Sequence, residues 1–360
     1  MPTFEDAKER LDTIINKARV DLYKPIQIAE VLRHSRLNGD LNIQDKNTYQ
    51  NPSIAWRDEV TRRLLGKICT SSARYQHDVW NSTAMYPELL AVLDTENKRT
   101  QGGVERYIYL RFNERQETVG SIIAFVESTS PKDFHLSVLL EKFIKQRGIR
   151  RSIDKAYEIV TYSLFETIVV ALSTTIKVSI PSENKELLAE FSDLTGVLLG
   201  LEVGKESWEF PAHVYRVGVT NAADRGLDMW ANFGPAIQVK HLTLDSKLAQ
   251  TIIDQVESDN IVIVCRDADA EVIKVVTQQI SWGQRVRGIV RESQLIEWYE
   301  RCLRGQFAAQ LAYPLIERLA NSFKSEFPQA NAIVDFLEER KYLSIPVDEI
   351  WVTEIDVKVE

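Results

Sequence analysis

Asp228, Gln238 and Lys240 are the residues whose types and spacing could do chemistry together. A carboxylate, an amide oxygen and an ammonium in contact can hold a divalent cation, orient a water and offset charge developing on a phosphodiester. Apolar and polar residues alternate strictly from Leu227 to Asn232 and again from Ala236 to His241, which predicts two strands. Phe233-Gly234-Pro235 reads as the hairpin loop, with Gly234 free to take positive φ. Pairing Asn232 with Ala236 sets Met229 opposite Val239, Ala231 opposite Ile237 and Asp228 opposite Lys240. His241 then points to the other face and stays outside the catalytic set. Taken alone, the same three side chains also fit a surface cross-strand ion pair contributing roughly 0.2–1 kcal/mol.

The flanking elements must position this hairpin. From Asp245 the apolar residues Leu248, Ile252, Ile253 and Val256 mark an amphipathic helix. Ile261–Cys265 is a continuous apolar run, as expected of a strand buried on both faces. With His213–Thr220 as a first strand, the order is strand, strand, strand, helix, strand. Upstream, Ala156–Leu172 reads as an apolar helix that nevertheless carries Glu158 and Glu166, and a carboxylate buried there needs a partner or a metal. Between that helix and the hairpin, Ile176–Ile180 is strand-like. Ser182 caps a helix whose core stripe is Leu187, Phe191, Leu194 and Leu198.

An acid on one strand, then a (D/E)xK tripeptide on the next, in an αβββαβ order, resembles the PD-(D/E)xK nuclease pattern. Asp228 and Gln238-Val239-Lys240 carry it here, within about residues 155–305. The run from Asn221 to His241 and the segment Asp21-Leu-Tyr-Lys-Pro-Ile-Gln-Ile-Ala-Glu30 are similar to type II restriction endonucleases of the HaeII kind. That likeness extends over most of the chain. It implies Mg²⁺ bound by Asp228, the Gln238 amide oxygen and the Val239 backbone carbonyl, with Lys240 orienting the attacking water. Nucleases of this frame often add a helix glutamate, which makes Glu166 a candidate third acid, with Glu190 as the weaker choice; the competing place for Glu166 is the helix's polar edge. Gln238 departs from the pattern, whose middle position is usually acidic, and so removes one negative charge. The resemblance further implies double-stranded DNA as substrate, a short GC-rich palindrome (RGCGCY) as target, a homodimer to match its two-fold symmetry, and a cognate DNA methyltransferase in the same system. A repair or junction nuclease of the same fold, and an inactive DNA-binding protein, are the alternatives.

Composition bounds the rest. The chain has 360 residues, 44% of them hydrophobic and 27% charged, which suits a soluble globular protein of two domains or one elaborated one. The expected class is α/β (α+β): a nuclease core with a mixed sheet flanked by helices over 151–310. A mainly helical, DNA-recognising region would occupy 1–150, and a helical extension 311–360. No apolar run approaches the ~20 residues of a membrane span, and the N-terminal residues have no secretory pattern. Cys69, Cys265 and Cys302 are too scattered for a disulfide framework or zinc knuckle, which points to a reducing cytoplasm, and the resemblance implies a bacterial one. No P-loop, GxGxxG, HExxH or HNH-like cluster occurs. The net charge of −8 does not advertise a nucleic-acid binder, so a DNA-cutting chain would need a local positive cleft.

Candidates for that cleft are spread along the N-terminal half. Helices are expected over 4–20, from Pro25 to Gly39 and from Pro52 to Gly66, the last with Arg57, Arg62 and Arg63 either on a solvated face or in contact with DNA phosphate. Glu96–Gly103 reads as a polar loop and Tyr107–Phe112 as a strand, offering Lys98, Arg99, Arg106 and Arg111 to DNA. Residues 141–155 hold six basic residues, Arg150 and Arg151 among them, against two acids. Beyond the hairpin unit, helices are expected near 268–280, 292–303, 308–323 and 330–339. Strands are expected at 285–290 and Ile350–Ile355.

Overall fold

Capping residues set the first helices. α1 (Phe4–Lys17) begins at Thr3, which closes a capping box with Asp6. α2 (Tyr23–Asn38) stops at Gly39. α3 (Pro52–Leu65) has proline in its first turn and ends at Gly66, whose φ of +68° suits glycine; the Asn51 side chain makes no cap bond. The computed structural model describes residues 2–353, except 147, 148, 150, 151, 218–226, 331 and 347, and at 281 and 282 the backbone alone.

After α4 (Ala73–His77) and α5 (Pro87–Arg99) the expected loop and strand give way to helix: α6 runs unbroken from Gly103 to Ser128. The reason is local. Asn97 accepts from the Glu105 N–H at 3.2 Å and donates to the Glu105 carboxylate at 2.7 Å, so α5 turns straight into α6. Tyr107–Leu110 is buried on every side, and a helix buried all round shows no period by which it can be told from a strand. Arg57 also departs from expectation. It is buried, bonding Asp58 (2.6 Å), Gln76 (2.7 Å) and Gln27 (3.2 Å) rather than solvent.

α7 (Leu136–Lys145) and α8 (Ile153–Ala171) lead to β1 (Thr175–Ser179), α9 (Lys185–Glu190), α10 (Ser192–Leu199) and β2 (Ser207–Pro211). Then come β3 (Val214–Arg216), β4 (Met229–Ala231), β5 (Ala236–Leu244), α11 (Ser246–Gln255), β6 (Ile261–Ala268), α12 (Ala270–Thr277), β7 (Val286–Arg291) and α13 (Glu292–Arg304). β3 to β7 form one mixed sheet in sequence order, antiparallel from β3 to β5 and parallel from β5 to β7. The two parallel steps use α11 and α12 as crossovers. Of the expected first strand His213–Thr220, residues 218–220 lie outside the described residues.

The sheet is covered on both faces. Met229, Ile237, Val239, Val264 and Val290 pack with α8, α13 and α14 (Ala308–Glu326) in one core. Ala236, Ile263 and Cys265 face Ala249, Ile252 and Ile253 of α11 in a smaller one. A third core gathers the N-terminal helices with α15 (Ile333–Glu339). In place of the expected terminal strand, Glu349–Trp351 is a 3₁₀ turn that packs the buried Trp351 near Phe4 and Tyr107; residues 354 and 355 lie outside the described residues. No described helix is long and apolar enough to cross a membrane.

Candidate active site

The hairpin forms, but two residues out of the expected register. Met229 pairs with Ile237 and Trp230 with Ala236, so Asp228 comes opposite Gln238 and not Lys240. Asn232 causes the slip. Its backbone N–H donates to His213 O (3.1 Å), its side-chain oxygen accepts from His213 N (2.8 Å), and its amide donates to Pro211 O (3.0 Å). Held by the lead-in to β3, Asn232 cannot pair with Ala236, and the loop lengthens to Asn232–Pro235, with Gly234 at φ +120°. A shift of two residues preserves which face each side chain takes.

The chemistry-bearing residues still converge. Asp228 Oδ2 accepts from Gln238 Nε2 at 2.6 Å and from the Val239 backbone N–H at 2.8 Å. Gln238 is buried, and its Oε1 has no hydrogen-bond partner. A buried acceptor without a donor is costly unless a cation or water satisfies it. Burial raises the Asp228 carboxyl above its ordinary range, opposed by the Val239 N–H and by the nearby Lys240 and Lys155 ammonium groups. Among the described residues no three His, Cys, Asp or Glu side chains form a metal cluster. The donor set here depends on an amide: Asp228 with the free oxygen of Gln238 suits a hard divalent cation. An extended residue sends its N–H and C=O to the same side, so the Val239 carbonyl also faces Asp228.

Of the two α8 carboxylates, Glu158 is the one that comes within reach of Asp228's charge. Glu158 is buried, pairs with Lys155 at 2.6 Å, and is pushed up to about 7 by burial, with Asp228 and Glu326 adding to the rise and Lys155 opposing it. Asp154, one residue before Lys155, pairs with His241 beside Lys240. Its charge also reaches Asp228. Glu166 lies two turns farther along α8, where it accepts from Val214 N at 2.6 Å and pairs with His213 at 2.9 Å. It is buried as a clamp on β3, not on the helix's polar edge. Glu190 is exposed at the end of α9. Glu166→Gln keeps the acceptor for Val214 and should retain cleavage within about tenfold, whereas Glu166→Ala should cost about 1–3 kcal/mol of stability. Urea melts and cleavage rates check this; a Gln variant as dead as an Asp228 variant would place Glu166 in the catalytic set.

The candidate DNA contacts are mostly engaged within the chain. Lys98 pairs with Asp94 (2.7 Å), Arg99 with Glu96 (2.7 Å) and Asp348 (2.9 Å), and Arg111 with Glu114 (2.7 Å). Arg106 is buried, while Lys98 and Arg99 remain exposed at the end of α5. Arg150 and Arg151 lie outside the described residues.

Comparison with known proteins identifies the family. The chain is 47% identical to the type II restriction enzyme HaeII of Haemophilus aegyptius, over 95% of this chain and 98% of that one. It is also 47% identical to the type II restriction enzyme NgoBI of Neisseria gonorrhoeae, over 94% of this chain and 97% of that one. No solved structure matches it. A family model described as HaeII restriction endonuclease matches residues 7–342, so the chain belongs to the HaeII restriction endonuclease family.

Proposed function

We propose that this chain is a Mg²⁺-dependent type II restriction endonuclease of the PD-(D/E)xK kind. It hydrolyses double-stranded DNA at a short GC-rich palindrome, RGCGCY, in a bacterial cytoplasm where a cognate methyltransferase protects the host's sites. One observation carries this reading: Asp228, just before β4, is bonded to Gln238 and Val239 of β5, with Lys240 and Glu158 close enough to feel its charge.

Asp228, Gln238 Oε1, the Val239 carbonyl and Glu158 would hold the cation. When bound, it supplies Lewis-acid polarisation of the scissile phosphoryl group. Lys240 orients the water whose oxygen bonds to phosphorus as the P–O bond to the leaving oxygen breaks; the water gives up its proton to solvent, the leaving oxygen takes one from solvent, and the ammonium offsets the charge that develops. Lys155 limits repulsion between Glu158 and Asp228. Lys98 and Arg99 can exchange carboxylate partners for DNA phosphates, and we assign them, with Arg150 and Arg151, to backbone contacts. One such site per chain cuts one strand, so a palindrome calls for a homodimer.

Digestion of a sequenced plasmid with Mg²⁺, followed by end mapping, tests the proposal. The expected result is a discrete set of fragments whose ends share one palindrome. Branch-selective cutting would favour a junction nuclease, and binding without cleavage an inactive DNA-binding protein.

A further inference from the structure

The stripe Leu187, Phe191, Leu194 and Leu198 has the spacing of a helix face that packs into a core, yet the structure leaves it open to solvent. It belongs to an arm, β1-α9-α10-β2, inserted between α8 and β3. β1 and β2 pair antiparallel over their full length, from Thr175 opposite Pro211 to Ser179 opposite Ser207. α9 and α10 run on as one kinked helix, because Phe191 N donates to Leu187 O (3.2 Å) and Thr195 N to Phe191 O (2.9 Å). The Trp208 indole donates to Leu199 O at 2.7 Å and fixes the helix to the hairpin. The arm is therefore built, but among its described residues Leu188 and Leu201 alone are buried apolar side chains. Val197 is 90% exposed and Leu198 72%.

Charge and area decide what covers this face. Between 175 and 211 the arm carries seven acidic residues against three lysines, so a polyanion such as DNA is repelled. With Val197 and Val203, the stripe presents on the order of 700 Å² of apolar surface, beyond the roughly 300–600 Å² of the largest patch on a typical monomer. It approaches the roughly 800 Å² that each partner contributes to a standard interface. Position adds a third argument. The arm joins the helix that carries Glu158 and Glu166 directly to β3, so whatever grips the arm is tied to the site.

We infer that the α9–α10 face is where two copies of this chain join, arm against arm about a two-fold axis. The inference rests on reading the chain as an enzyme that cuts both strands of a palindrome. An apolar face meeting its own copy satisfies the self-complementarity that a two-fold interface requires.

Val197→Asp tests it, at a position open enough that folding is undisturbed. Sedimentation of the full chain, with and without duplex, should give twice the 41.3 kDa chain mass for the wild type. The variant's dimer dissociation constant should rise at least roughly 100-fold. The variant should also nick supercoiled plasmid without linearising it. A monomeric wild type, or a variant that dimerises as tightly as the wild type, overturns the inference. So does a variant that stays dimeric but loses duplex affinity, since that gives the face to DNA. If neither protein cuts, the nuclease reading fails, while sedimentation still decides the arm.

Discussion

Asp228→Asn is expected to lower plasmid cleavage at least roughly 10³-fold while leaving duplex affinity within about twofold. The substitution keeps an oxygen for the Val239 N–H, so the hairpin should hold its register. What disappears is the negative charge at the centre of the donor set. Gln238 is neutral, so the site has little charge to spare for a divalent cation; in a site with an acidic middle residue the same change would remove a smaller share. Cleavage assays in Mg²⁺ and gel shifts in metal-free buffer separate the two effects. Wild-type cleavage by the variant would remove this hairpin from the chemistry altogether.

Glu158→Gln should separate stability from function. Burial raises this carboxyl to about 7, from 4.5. The folded chain then binds a proton more tightly here than the unfolded chain does. Stability from this group is full below about pH 4.5 and is lost as pH rises through 7. Glutamine carries no such penalty, so the metal-free variant should be more stable than wild type by roughly 1–3 kcal/mol at pH 8. The advantage should vanish near pH 4.5. Lys155 loses its partner in the variant but is open enough to reach water, which limits the cost. Cleavage should fall at least roughly 100-fold, because a ligand charge is gone. Thermal melts in EDTA at pH 5, 6 and 8 decide the stability half; a pH-independent difference, or a less stable variant at pH 8, would refute it.

The parts of this site set by local pattern were legible in the sequence, and the parts set by distant bonds were not. Alternation marks β4 and β5, the apolar run marks β6, and Asp245 caps α11 as a helix-start residue should. Their pairing depends on Asn232, whose partners Pro211 and His213 lie about twenty residues upstream, and no local rule reports them. The different surroundings of Glu158 and Glu166 were hidden for a similar reason. Eight residues apart, they stand about 12 Å apart along α8. Only the packed sheet shows that Glu158 is within reach of Asp228's charge while Glu166 holds the start of β3. Gln238 was recognisable as a departure from the acidic pattern. That one end of its amide would bond Asp228 and the other stand free needed coordinates.

α6 has a consequence for how the molecule comes apart. Its 26 residues extend about 39 Å. Its first half, through Phe112, is buried among the N-terminal helices, and Val119, Ile122, Ile123 and Val126 are buried in the core that α14 shares. Neither core can shed its share of α6 without opening one hydrogen-bonded ladder that runs on into the other. The N-terminal helices and the sheet with its flanking helices should thus behave as a single cooperative unit. Heat should melt them together, and limited proteolysis should release neither as a stable fragment.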